Sequence, residues 1–156
     1  MKTKNLFMLC VAAMAMVALA ACSSNDPDKK SDARDAFVGE YTYEATGSID
    51  FQVVKVPLDE KGTLTISKKG DKDQVIITGY NDTINATVAG NIMTLENATY
   101  SETIQGVYCV MNFEYDKASL TDNVLRWTSK INATGQYSVM QAQGTGTVSV
   151  VATKIK

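Results

Sequence analysis

From Phe37 to Phe51, apolar and small residues take the odd positions: Phe37, Gly39, Tyr41, Tyr43, Ala45, Gly47, Ile49 and Phe51. Glu40, Thr42, Glu44, Thr46, Ser48 and Asp50 take the even ones. A period of two held over about 15 residues predicts one long or bent strand with a single wet face. Gly39 and Gly47 mark places for a bend or a bulge. The alternation then returns at short intervals. It places strands around Leu64 and Ile66, Val75 and Ile77, Ile84 to Val88, Met93 and Leu95, Val107 to Tyr115, and Leu125 to Ala133. A last strand is predicted near Thr145 to Thr153. Turn signatures separate several of them, at Lys69-Gly70-Asp71, Ala89-Gly90-Asn91 and Asp122-Asn123. No stretch keeps a helical period for three turns. The pattern predicts an all-β chain of about 8–10 short strands, an antiparallel up-and-down barrel. A β-sandwich satisfies the same pattern.

The first 21 residues follow another rule. Lys2 and Lys4 precede an uncharged apolar run, Leu6 to Leu19, which is shorter than the roughly 20 residues a transmembrane helix needs. The run ends in Leu19-Ala20-Ala21-Cys22, which resembles the lipobox of type II signal peptides in Gram-negative lipoproteins. That resemblance implies cleavage before Cys22 and a thioether-linked diacylglycerol on its thiol. With each buried methylene contributing about 0.8 kcal/mol, two or more acyl chains hold a protein to a bilayer. Ser23 and the Ser after it are not Asp, which in such lipoproteins implies sorting to the outer membrane, facing the periplasm or the cell surface. Ser23 to Asp35 is polar, with one Pro and no aliphatic residue larger than Ala, and reads as a tether. The expected organisation is a signal peptide at 1–21, a lipidated N-terminus and tether at 22–35, and a barrel at 36–156.

Charge and cysteine usage narrow the field. Of 156 residues, 15 are Lys or Arg and 17 are Asp or Glu. Losing Lys2 and Lys4 with the leader moves the net charge from −2 to −4, with no basic block. This argues against nucleic acid as a partner and leaves membrane attachment to the lipid. Cys10 leaves with the leader and Cys22 takes lipid, so Cys109 remains alone in an apolar strand pattern and reads as a packing thiol. The chain has no His, which removes Ser-His and Cys-His nucleophilic arrangements and the commonest zinc ligand. Paired carboxylates for glycoside hydrolysis would come from Glu40, Glu44, Glu114 and Asp116, all on the polar faces of their strands. The expectation is a protein that is not an enzyme and uses no cofactor or metal.

Phe37-Val38-Gly39-Glu40-Tyr41, the meander of short strands, the late Arg126-Trp127 pair and the lipobox with its polar tether together resemble bacterial lipocalin-like (calycin-like) lipoprotein domains. In these an aromatic residue and a Gly introduce the first barrel strand. The lipocalin signature places Gly-x-Trp there, whereas this chain has Tyr41 in the Trp place. The resemblance implies an up-and-down barrel with an internal cavity and implies no reaction.

Two function classes follow. The first is a lipid-anchored envelope protein that binds a small hydrophobic or amphipathic ligand inside the barrel, with Tyr41, Tyr43, Met111, Phe113 and Trp127 as walls. The second is a surface or periplasmic module that binds a protein partner. Its core would be filled, and its binding face would lie on polar loops at 98–106 and 134–144.

Overall fold

The computed structural model describes residues 31–155 apart from 53, 71, 81, 82, 105, 106, 138 and 139. The leader and Cys22 lie outside the described residues. A 3-10 turn, Ala33–Ala36, precedes ten strands: β1 (Gly39–Asp50), β2 (Lys55–Lys68), β3 (Gln74–Thr78), β4 (Thr83–Ala89), β5 (Ile92–Leu95), β6 (Ala98–Ile104), β7 (Val107–Tyr115), β8 (Ala118–Thr121), β9 (Val124–Tyr137) and β10 (Met140–Lys154). Every pairing is antiparallel. Eight strands close a barrel in the order β10-β1-β2-β3-β4-β5-β8-β9, with β9 meeting β10 again. The barrel predicted from periodicity is the observed fold, and the sandwich is not.

The other two strands, β6 and β7, prolong the barrel wall. Ile92 pairs with Ser119 and Ala98 with Phe113, so β5–β8 and β6–β7 share one register. In effect β5 with β6, and β7 with β8, are two long strands that each break midway. Asn97 Oδ1 accepts from the Tyr115 amide (3.3 Å) where the ladder is interrupted. Against β9, the step from Tyr115–Ser129 to Ser119–Arg126 spends one extra residue on the β7–β8 side. This is a bulge, and it bends the wall at Asp116-Lys117. The chain is thus an eight-stranded meander with two kinked members.

The core follows strand parity. Odd residues of β1 and β9 point inward, among them Tyr41, Tyr43, Ala45, Ile49, Leu125, Trp127, Ile131 and Ala133, as do Val148, Val150 and Ala152 of β10. Cys109 is buried with them, its thiol donating to the Val107 carbonyl at 3.6 Å. One end of the barrel is plugged. Phe37 is fully buried, and its carbonyl accepts from the Tyr41 hydroxyl at 2.6 Å. Arg34 folds over the same end, held by Asp32 through Nη2 (2.7 Å) and reaching the Gln74 carbonyl (3.4 Å), while Lys68 bridges Asp32 and Asp35. These contacts hold Asp32 to Asp35, part of the stretch read as tether, onto the barrel end. A guanidinium packed over a barrel end is not visible in a list of polar residues.

Burial also sets the protonation of the inner phenols. It pushes Tyr41 up from an ordinary value of 10.0 to about 12, and it raises Tyr43 and Tyr115 further. Each stays protonated in the fold after the unfolded chain has begun to lose its proton. Their contribution is therefore full below pH 10.0 and is lost as the pH rises through the native values. The urea midpoint is expected to be clearly lower at about pH 11 than at about pH 8. An equal midpoint at both would contradict this burial.

The opposite end is built differently. Segments 98–106 and 134–144, expected as loops, are in large part strands β6, β9 and β10. The glycines of β9 and β10 there are accounted for by a ring from another part of the chain. Phe51 turns in over Gly144 and Gly135: a Cβ at Gly144 would lie 2.7 Å from the ring, and one at Gly135 3.5 Å away. A polar, glycine-bearing strand looks like a loop when its covering side chain arrives from elsewhere.

Candidate functional site

Two strand edges are left facing each other at this open end. β3 pairs with β2 only from Thr65 to Lys68, so the first half of β2 has a neighbour on one side alone, β1. β6 likewise pairs only with β7. Pro57, which has no amide hydrogen, and the exposed Asp59, Glu60 and Lys61 blunt the β2 edge against another strand. Between the edges lies a slot of about 240 Å³. That is below the roughly 300–1,000 Å³ of pockets for drug-sized ligands, so only a compact molecule fits.

Leu58 and Glu60 of β2 form one wall of the slot, and Tyr100, Ser101 and Glu102 of β6 form the other. The floor is Ala45, Tyr80, Met111, Phe113 and Val148. Tyr80 comes from the connection after β3. Gly79, at φ +91°, turns the chain there and passes the Thr63 carbonyl more closely than a side chain would allow. Tyr80 then enters the barrel, 1% exposed, and meets Tyr43 and Trp127 edge-on at 5.0 and 5.6 Å. On the far side Tyr100 meets Phe113 edge-on at 5.4 Å, and Phe113 stacks on Tyr115 at 6.0 Å. Two aromatic groups, Tyr43–Tyr80–Trp127 and Tyr100–Phe113–Tyr115, thus surround the floor, in pair geometries that add about 0.5–1.5 kcal/mol each beyond burial.

The rim is acidic. Glu60 and Glu102 occupy even positions on their strands, in step with Leu58, Leu64 and Tyr100, and so belong to the inward face at the mouth. Tyr43 stands over Gly62, where a Cβ would be 2.9 Å from its ring, and its hydroxyl donates to Glu60 Oε1. Burial first, and then Glu60, hold that phenol above its ordinary range. No Lys or Arg lines the slot, and among the described residues neither Glu60 nor Glu102 forms an ion pair. Behind the floor, Trp127 Nε1 and Ser129 Oγ are buried without a protein hydrogen-bond partner among the described residues.

The five residues singled out from sequence divide. Met111 and Phe113 line the slot. Tyr43 and Trp127 lie just behind it, each against Tyr80. Tyr41 is fully buried at the plugged end, its hydroxyl spent on Phe37. Sequence reasoning missed Tyr80, Glu60 and Glu102. Counting parity back from Leu64 through Gly62 would have put Glu60 inward. Nothing in the local pattern marks Tyr80, which sits in a turn. The four carboxylates considered for hydrolysis, Glu40, Glu44, Glu114 and Asp116, are all exposed, and Glu44 is paired with Lys61 at 2.8 Å.

No family model and no curated protein matches the chain. Among solved structures, it is similar to one described as an auxiliary nutrient binding protein from Bacteroides thetaiotaomicron, at 10% identity and a TM-score of 0.31. The match covers 74% of this chain and 46% of that one, so the chain spans about half of the neighbour's length. A likeness at that score carries no argument about function.

Proposed function

We propose that this protein is a non-enzymatic binding protein of the cell envelope that takes a compact amphipathic molecule in the slot between β2 and β6. The observation that carries this reading is the slot itself, an apolar aromatic floor under a polar rim, at a place where the barrel wall is left unpaired. A filled barrel with function on its loops accounts less well for the slot, because the segments expected as loops are largely strand. Leu19-Ala20-Ala21-Cys22 supports a lipid anchor on Cys22 and an outer-membrane location. The described domain begins at its plugged end, so the slot opens at the end away from Asp32.

The test uses the full chain carrying Cys22→Ala, which is expected in the soluble rather than the membrane fraction. Persistence in membranes would refute the anchor. Trp127 is the sole tryptophan and touches the floor through Tyr80, so its emission reports on the slot. 2-Phenylethanol is expected to change that emission saturably. Ala45→Phe, which adds a ring to the floor, should abolish the response while unfolding remains cooperative. A parent protein that gives no saturable response to 2-phenylethanol or to its amine and carboxylate analogues would retire the binding reading.

A further inference from the structure

We infer that the slot selects a cationic amphiphile, a protonated amine on a small aromatic or aliphatic body, over neutral and anionic molecules of the same shape. This rests on the slot being a ligand site. The charge balance of the lining carries it: two carboxylates, Glu60 on one edge and Glu102 on the other, with no Lys or Arg among the lining residues. Neither carboxylate has a cationic partner among the described residues, so the negative potential at the mouth is not neutralised from within the site. Glu60 is also positioned. Tyr43, wedged over Gly62, holds its Oε1, which leaves the second oxygen for an ammonium group.

Below the carboxylates the surface changes to rings. Tyr80 and Phe113 belong to the floor and Tyr100 to the wall. Aromatic faces attract a cation and also take an apolar body, whereas they offer nothing to an anion. An amine would place its ammonium between the two rim carboxylates and its carbon body on Met111 and Phe113. A carboxylate ligand would meet like charge on both walls of the slot. The same rim explains why the apolar floor does not make the slot a general hydrophobic trap: a ligand must pass two charged groups to reach it.

Three probes of nearly equal size decide it: 2-phenylethylamine, 2-phenylethanol and 3-phenylpropionate, each titrated into the full chain carrying Cys22→Ala while Trp127 emission is followed. The amine is expected to bind roughly tenfold tighter than the alcohol, the size of effect that partly exposed charge pairs and a cation–π contact supply together. The carboxylate is expected to show no saturation. Glu60→Gln and Glu102→Gln replace exposed side chains with isosteres. Each should cut the amine's advantage over the alcohol about threefold. Raising the salt to about 0.5 M should weaken the amine selectively. An alcohol that matches the amine, or a carboxylate that binds best, would overturn the charge selectivity and leave the slot standing as a binding site. Silence from all three probes would overturn both.

Discussion

Gly146→Ala is expected to cost the fold about 3 kcal/mol and lower the melting temperature by on the order of 10 °C. The reason is a backbone-to-backbone approach. Gly146 of β10 pairs with Ile49 of β1. A Cβ there would lie 2.2 Å from the Ser48 carbonyl oxygen and 2.9 Å from the Ile49 Cα. Gly47 makes the reciprocal approach, 2.1 Å from the Thr147 carbonyl oxygen and 2.8 Å from the Val148 Cα. These are main-chain atoms, so no rotamer change relieves the clash. The two strands must separate at the seam that closes the barrel. Gly90→Ala is the control. Gly90 has φ +62°, yet a Cβ there meets nothing within 4 Å, so the cost should be the conformational one alone, about 1 kcal/mol. Thermal melts of the two variants measure the difference. If Gly146→Ala were as mild as Gly90→Ala, the close approach of β1 and β10 would be wrong.

Tyr80→Ala should be the other severe substitution, at about 3–5 kcal/mol, the range for removing a large buried ring. Tyr80 is 1% exposed and joins Tyr43 to Trp127, so its loss opens a void between the two rings it holds. The void adjoins the slot, because Tyr80 is part of its floor. Water then reaches the indole, and Trp127 emission should shift to the red in the still-folded protein. Tyr80→Phe keeps the ring and should keep most of the stability. Chemical denaturation followed by circular dichroism, with emission spectra below the transition, checks both parts. A loss under about 1 kcal/mol with unchanged emission would mean that Tyr80 does not hold Tyr43 and Trp127 in place.

Several features were legible because they depend only on neighbours along the chain. Alternation gave β1, β4 and β9 and their inward faces, since a strand sends successive side chains to opposite sides. Asp122-Asn123 reads as a turn, and both adopt positive φ (51° and 63°), as a two-residue hairpin between right-twisted strands requires. Other features escaped for reasons that are equally physical. The first half of β2 holds Pro57, Asp59, Glu60 and Lys61, and an edge with one neighbour does not need an apolar face, so the period fades there. The ends of β9 and β10 resembled loops because their inward places are small beneath Phe51.

The sequence by itself determined an all-β chain of short strands, which side chains of its alternating strands share a face, and, through Leu19 to Cys22, an expectation of export and lipidation. Those follow from local periodicity and a local motif. Only the tertiary structure decided which inward residues fill the barrel and which line a space. Parity is the same for Tyr41, sealed at one end, and for Phe113, open to the slot at the other. What separates them is where β3 and β4 stop, where Tyr80 inserts and which strands remain unpaired. Those are relations between segments far apart in the chain, and the cavity exists only once they have met.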